Sequence, residues 1–187
     1  ASGQASYVIG GLGLFLAGAG AAYRLIGRVA LRVDTWWNPW PEASGRAFQI
    51  VQSLIAFGAG GLLGQGLGQG APTVIPVVHS DFVYAAIGEE LGLMGTLAVV
   101  ALYGVLMMRG FRAAMRAGAP FARLLGAGLA TLIGLQAWVI MAGNAGLIPL
   151  TGIALPFLSY GGSSLLSSLV AIGLLLQVSN RAADRER

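Results

Sequence analysis

The chain has 187 residues, of which 56% are hydrophobic and only 10% are charged. A soluble domain carries roughly 25% charged residues, so this chain lacks the polar surface that a water-soluble fold needs. The absence of cysteine and the single histidine exclude disulfides, thiolate nucleophiles and multi-histidine metal sites. The 30 glycines follow no triplet period and suit close helix packing in a bilayer. The composition therefore predicts an integral membrane protein.

The net charge of +4 comes from eleven arginines set against seven acidic residues. The arginines lie in short clusters between apolar runs, which is typical of membrane topology or contact with lipid headgroups and not of nucleic-acid binding. The chain begins at Ala1 without the charged first region of a signal peptide, and we expect it to be a piece of a longer protein.

Apolar runs mark the candidate membrane spans, because a hydrocarbon core of ~30 Å needs about 20 apolar residues of helix. They cover residues 7–23, 91–108, 124–143 and 165–178. Arginines between residues 109 and 123, together with Arg181, Arg185 and Arg187, predict cytoplasmic sides, and the uncharged 144–162 loop then lies outside. The segment 47–67 is ambiguous. Composition alone favours five spans, with 47–67 crossing the membrane and the arginines at 24–46 on the cytoplasmic side.

Asp81 is the acidic residue best placed for chemistry, immediately before the helix that contains residues 91–108. One interpretation is that Ser80 or Asp81 caps this helix. The other is that Asp81 is a carboxylate at the membrane surface that acts as a general base. The two roles are compatible.

Other polar residues have two interpretations each. Glu89 and Glu90 pair with an arginine or a helix N-terminus at headgroup level, or they face a cavity or a partner. Arg24, Arg28 and Arg32, spaced by four, form a stripe on one helix face that contacts lipid phosphates or a pyrophosphate. The run of hydroxyl and glycine residues over 159–164 is an ordinary helix cap or an anion-facing helix N-terminus.

Three blocks of sequence carry a family resemblance. The first is RVDTWWNPW at 32–40 with QIVQS at 49–53 and GGLLGQGLG at 60–68; the second is IPVVHSDF at 75–82 with GEELG at 88–92; the third is GNAGLIPLTG at 143–152 with LPFLSYGGSS at 155–164. Their order and spacing over nearly the whole chain resemble the C-terminal half of the SEDS glycosyltransferases, the FtsW/RodA/SpoVE proteins.

The resemblance implies an all-α, polytopic transmembrane helix bundle of about four spans, at about 6–26, 83–108, 121–143 and 162–179. A large extracytoplasmic loop at about 27–82 would contain short non-spanning helices, so 47–67 would not cross. Residues 1–187 would then form the C-terminal part of a single SEDS membrane domain in the bacterial cytoplasmic membrane, with its active site on the extracytoplasmic side. We adopt this topology in place of the five-span one.

The family's activity is the polymerisation of lipid II into glycan strands, together with a class B penicillin-binding protein. By the resemblance, the essential loop aspartate matches Asp81. The residues that we expect to bind substrate are Arg32, Arg46, Gln52, His79, Glu90, Ser159 and Ser163. Val77, Ser80 and Asn38 depart from the residues common in the family, and Val77 weakens the case for a second acid in the loop.

The implied mechanism is inverting glycosyl transfer, with Asp81 accepting the proton of the acceptor's 4-hydroxyl and undecaprenyl pyrophosphate leaving. The leaving group needs compensation by arginines, helix N-termini or a divalent cation. No carboxylate cluster resembles a dedicated metal site, so a cation would be held mainly by the substrate's phosphates. A lipid-linked precursor flippase and a structural membrane subunit are the alternatives. The fragment alone is expected to be inactive.

Overall fold

The computed structural model describes residues 5–183, and every regular element within that range is helical. Two short 3₁₀ turns, Trp40–Glu42 and Pro72–Val74, accompany the α-helices. The α-helices are α1 (Ala5–Leu25), α2 (Gly27–Trp37), α3 (Phe48–Gly60), α4 (Val78–Asp81), α5 (Val83–Arg116), α6 (Pro120–Asn144) and α7 (Gly162–Ala183). Arg185 and Arg187, which we expect on the cytoplasmic side, lie outside the described residues.

Three helices are long and apolar enough to cross a membrane: Val83–Arg116, Pro120–Asn144 and Gly162–Arg181. A fourth span is possible if Ile9–Leu25 and Gly27–Trp37 are counted together, although these two helices meet at 99°. The all-α, polytopic prediction is therefore confirmed. Helix α5 is longer than expected, since it continues past residue 108 to Arg116.

The bend between α1 and α2 separates the arginines that the sequence placed on one stripe. Arg24 lies in the last turn of α1, whereas Arg28 and Arg32 lie on α2. Across the bend, the hydroxyl of Tyr23 donates a hydrogen bond of 2.9 Å to Oδ1 of Asp34. The prediction of one continuous arginine stripe is thus wrong, because the spacing of four assumed an unbroken helix.

The segment 47–67 does not contain a spanning helix. Its helix, α3, has 13 residues and ends at Gly60, so it is only ~20 Å long against a hydrocarbon core of ~30 Å. Packing explains part of its apolar character, because α3 lies mainly against α5 and buries Ile50, Val51 and Ala56. Leu62 and Leu63, after the end of α3, are exposed. The five-span topology favoured by composition is wrong.

Helix α5 is interrupted at Gly92, whose φ of 66° and ψ of −162° are not helical. The loop after α3 supplies the hydrogen bonds that the interruption removes. Leu93 and Met94 donate to the carbonyls of Gly61 and Leu62 at 2.9 and 3.2 Å, and Gln65 and Gly66 donate to the carbonyls of Glu89 and Glu90 at 2.9 and 3.0 Å. Non-helical backbone inside a membrane protein is tolerated where other protein groups satisfy it in this way.

The contact at the interruption requires glycine. A Cβ atom on Gly92 would lie 2.4 Å from the backbone nitrogen of Gly64, and one on Gly64 would lie 2.1 Å from the carbonyl oxygen of Glu90. Glu89 is buried, and its Oε1 accepts a hydrogen bond of 3.0 Å from the backbone N–H of Ala71. Its partner is therefore the backbone amide of the residue at the N-terminal cap of the 3₁₀ turn Pro72–Val74, and not an arginine.

Helices α5, α6 and α7 pack around one cluster of buried residues. It contains Tyr84, Tyr103, Ile133, Ala137, Ile140, Met141, Leu155 and Ala171. The hydroxyl of Tyr103 donates a hydrogen bond to the carbonyl oxygen of Pro156. This bond ties the middle of α5 to the segment between α6 and α7, which forms part of the site described next.

Candidate functional site

Asp81 is the last residue of α4, a single turn that precedes α5. Its carboxylate is half-buried, and Oδ1 accepts a hydrogen bond of 2.9 Å from the Ser80 hydroxyl. Among the described residues, no hydrogen-bond donor reaches Oδ2. The residue at the N-terminal cap of α5 is Phe82, and no side chain caps that end. The capping interpretation of Ser80 and Asp81 is therefore wrong, and one oxygen of Asp81 is left available.

Asp81 lines a cavity of about 220 Å³ built from four separate segments of the chain. They are α2, the start of α3 together with Arg46 just before it, the end of α4, and the segment after α6. The lining residues are Leu31, Arg32, Thr35, Trp36, Arg46, Gln49, Ile50, Asp81, Leu150 and Gly152. The cavity thus unites Asp81 with Arg32 and Arg46, three of the residues predicted for the site.

Arg32 projects from α2 towards the segment after α6, where its Nη1 donates a hydrogen bond of 2.8 Å to the carbonyl oxygen of Thr151. The neighbouring Gly152 leaves space beside both charged groups. A Cβ atom there would lie 3.5 Å from Nη2 of Arg32 and 3.9 Å from Oδ2 of Asp81. Gly152 also has a φ of +68°, a conformation that favours glycine.

The charges of the cavity suit an anion beside a carboxylate. Its lining contains two arginines and one aspartate, and Arg46 is exposed at the end of the loop before α3. Guanidinium groups match the oxygens of phosphates through paired N–H donors. The cavity can therefore hold a phosphorylated ligand while Asp81 accepts a proton.

Two residues that the sequence analysis gave no role complete the cavity. Trp36 donates from its indole nitrogen to the carbonyl oxygen of Gly146 at 2.8 Å, which joins α2 to the segment after α6. Gln49 lines the cavity and donates from Nε2 to the carbonyl oxygen of Pro76 at 3.4 Å. Both residues belong to the blocks that carry the family resemblance, and that was the available signal.

The remaining predicted residues do not line this cavity. Gln52 lies on α3, half-buried, and Glu90 lies on α5 just before the interruption at Gly92. His79 is exposed, and its ring makes an edge contact with that of Tyr160 at a centroid distance of 5.4 Å. Their assignment to substrate binding stays a prediction.

The two predicted serines also lie apart from the cavity. Ser159 is buried, and its Oγ accepts a hydrogen bond of 2.8 Å from the backbone N–H of Leu155, so it stabilises its own loop. Ser163 is exposed in the first turn of α7. Within residues 5–183, no group of three or more His, Cys, Asp or Glu side chains could hold a metal ion.

Comparisons with known proteins give the context of this geometry. A family model described as "Cell cycle protein", which covers FtsW, RodA and SpoVE, matches residues 1–184. RodA of Mycobacterium tuberculosis, named a peptidoglycan glycosyltransferase, is 44% identical over 177 residues, which is 95% of this chain and 38% of that protein. FtsW of Geobacter sulfurreducens, named a probable peptidoglycan glycosyltransferase, is 49% identical over 152 residues, which is 80% of this chain and 41% of that protein.

A solved structure is similar over the same range. It comes from work described as "Structural coordination of polymerization and crosslinking by a peptidoglycan synthase complex". One of its chains matches with a TM-score of 0.75 and 30% identity, over 94% of this chain and 48% of that one. The chain spans about two fifths of the length of the curated relatives that it matches.

Proposed function

The chain belongs to the FtsW/RodA/SpoVE family, and from this premise we propose that it forms the C-terminal part of a peptidoglycan glycosyltransferase. The full-length protein polymerises lipid II into glycan strands, and this chain supplies the general base. One observation carries the proposal: Asp81 shares a cavity with Arg32 and Arg46, so a proton acceptor lies beside cations that suit a pyrophosphate.

Asp81 acts as the general base of an inverting glycosyl transfer. The acceptor's 4-hydroxyl oxygen forms a bond to the anomeric carbon of the donor sugar, while the bond from that carbon to the pyrophosphate oxygen breaks. The hydroxyl proton passes to Asp81. Oδ2 is the oxygen suited to receive it, because Oδ1 already accepts a hydrogen bond from Ser80.

Arg32 and Arg46 stabilise the negative charge that develops on undecaprenyl pyrophosphate as it leaves. Fixed cations aimed at developing charge lower the barrier of such a step more than they strengthen substrate binding. Arg32 donates a hydrogen bond to the carbonyl oxygen of Thr151, so the orientation of its guanidinium group is fixed before substrate binds. If the reaction used a divalent cation, the substrate's phosphates would be its main ligands, because the described residues offer no carboxylate cluster for it.

The chain is a multi-pass membrane protein, and the proposed reaction takes place on the extracytoplasmic face of the bacterial cytoplasmic membrane. Both substrates carry lipid tails, so a cavity beside membrane spans admits them from the bilayer. The proposed partner is a class B penicillin-binding protein. The similarity to a chain of a peptidoglycan synthase complex supports a partner synthase.

The function is tested with the purified full-length protein in lipid vesicles that contain labelled lipid II. The proposal predicts glycan strands that lengthen with time, with release of undecaprenyl pyrophosphate. Movement of labelled lipid II between leaflets with no polymer at any time would overturn it and favour the flippase.

A further inference from the structure

A chain of hydrogen bonds between buried groups ends at the backbone of Asp81. The hydroxyl of Ser53 on α3 donates to the carbonyl oxygen of Asn144 at 2.7 Å, and Nδ2 of Asn144 donates to the carbonyl oxygen of Asp81 at 2.9 Å. The side chains of Ser53 and Asn144 are both 0% exposed. Three elements therefore meet here: α3, the last residue of α6 and the last residue of α4.

The carbonyl of Asp81 needs this donor because the helix is interrupted next to it. Helix α4 ends at Asp81 and α5 starts at Val83, with Phe82 between them at a φ of −123°. In an uninterrupted helix the N–H of Ala85 would donate to this carbonyl. In the described structure the donor is the amide of Asn144 instead.

The side-chain amide of Asn144 has a partner for its nitrogen but none for its oxygen among the described residues. That oxygen, Oδ1, is buried. The reverse orientation of the amide would place Oδ1 against the Asp81 carbonyl oxygen, where two acceptors repel, so the carbonyl fixes the orientation. A half-satisfied buried amide is unfavourable by itself, which indicates that its donor function is the one that matters.

We propose that Asn144 is a positioning residue for Asp81, a role that rests on the proposed function. By fixing the peptide group of Asp81, Asn144 sets the direction in which the carboxylate leaves the backbone. The carboxylate then lies beside Gly152 and Arg32 in the cavity. Ser53 holds Asn144 in place in turn, because its hydroxyl donates to the backbone carbonyl oxygen of Asn144.

The test uses Asn144→Asp and Asn144→Leu in the full-length protein, because both side chains are close in size to asparagine. An ionised aspartate replaces the donor with an acceptor, and leucine removes the donor without adding a charge. We expect kcat for glycan polymerisation to fall at least 10-fold and KM for lipid II to change less than about 3-fold. A merely structural role would lower the amount of folded enzyme and its unfolding temperature, but it would leave the kcat of the folded fraction unchanged. Asn180→Asp, at an exposed position on α7, is the matched control and should retain full activity.

A milder pair of variants decides the question if neither Asn144 variant folds. Ser53→Ala removes one buried hydroxyl bond, and we expect a 3- to 10-fold lower kcat at unchanged KM. Ser168→Ala is its control, because that hydroxyl is also buried and donates to a backbone carbonyl at 2.8 Å, but on α7.

The outcomes separate this inference from the function on which it rests. An unchanged kcat in either folded Asn144 variant, or equal losses in Ser53→Ala and Ser168→Ala, would overturn the positioning role while Asp81→Asn remained inactive. Normal polymerisation by Asp81→Asn would overturn the role of Asp81 and this inference together.

Discussion

Nη1 of Arg32 donates a hydrogen bond of 2.8 Å to the carbonyl oxygen of Thr151, 119 residues further along the chain. This bond joins α2 to the segment between α6 and α7 and places Gly152 next to the carboxylate of Asp81. The cavity therefore forms between two segments that are far apart in the sequence. It stays open beside Asp81 because glycine at position 152 has no side chain to fill it.

Gly152→Ala should lower polymerisation activity 10- to 100-fold. Its methyl group would occupy the space between Nη2 of Arg32 and Oδ2 of Asp81, at 3.5 and 3.9 Å from these atoms. These are ordinary van der Waals distances, so the methyl group displaces neither atom, but it occupies space that a substrate needs beside both charged groups. The measurement is the steady-state rate of glycan synthesis by the purified full-length variant.

The matched control for Gly152→Ala is Gly68→Ala. Gly68 has a similar φ, +71°, but a Cβ atom there meets no atom within 4 Å. Both variants place alanine at a similar positive φ, and only one fills the cavity. Equal losses of activity in the two variants would contradict a steric role for Gly152.

Arg32→Ala should lower kcat/KM about 10- to 100-fold, which corresponds to the ~1.5–3 kcal/mol of a charge-assisted hydrogen bond. Arg32→Lys keeps the charge but loses the paired donors, so its loss should be smaller but still measurable. Arg28→Ala on the same helix is the control, because Arg28 is exposed and does not line the cavity. A loss in Arg28→Ala as large as that in Arg32→Ala would indicate a general effect of charge at the membrane surface.

Ser80→Ala should lower kcat 3- to 10-fold by removing the hydroxyl that holds Oδ1 of Asp81 at 2.9 Å. Ser80→Thr should retain activity, since threonine supplies the same hydroxyl. Rates of polymer formation at saturating lipid II compare the two variants directly. The orienting role of Ser80 would be refuted by an alanine variant as active as the threonine variant.

Gly92→Ala should destabilise the protein by roughly 2–4 kcal/mol, because the added Cβ atom would lie 2.4 Å from the backbone nitrogen of Gly64 and the φ of +66° is strained. The unfolding temperature in detergent should fall by about 5–10 °C. Gly104→Ala, in the same helix with no atom within 4 Å of its Cβ position, should leave that temperature unchanged or slightly higher. Unchanged stability in Gly92→Ala would show that the close contact between Gly92 and the loop after α3 does not stabilise the protein.

The long helices could be predicted from the sequence because their signal is local. Apolar runs of 14 to 20 residues identify α5, α6 and α7, and the ends of α6 and α7 fall close to the predicted boundaries. Whether the segment 47–67 crosses the membrane could not be predicted in the same way. Its short helix α3 packs against α5, and hydropathy alone does not distinguish burial in protein from burial in lipid.

The site was predictable only in part, for a related reason. Asp81 could be found because a lone acid stands at a helix junction, Arg32 because it begins one of the family's blocks, and Arg46 because an arginine suits a pyrophosphate. The role of Gly152 depends on a contact between distant segments and on a positive φ, neither of which a single sequence reveals. The 99° bend after Leu25 was missed because no proline marks it, and the interruption at Gly92 was missed because it is stabilised by a remote loop.

The most direct test of the central claim is glycan polymerisation by the full-length Asp81→Asn variant, which keeps the size of the side chain and removes its capacity to accept the proton. Asp34→Asn is the control, because Asp34 lies outside the cavity and bonds to Tyr23. We expect no polymer above background from folded, membrane-inserted Asp81→Asn and normal polymer from Asp34→Asn. Strands made by Asp81→Asn at the rate of the unsubstituted enzyme would show that Asp81 is not the general base.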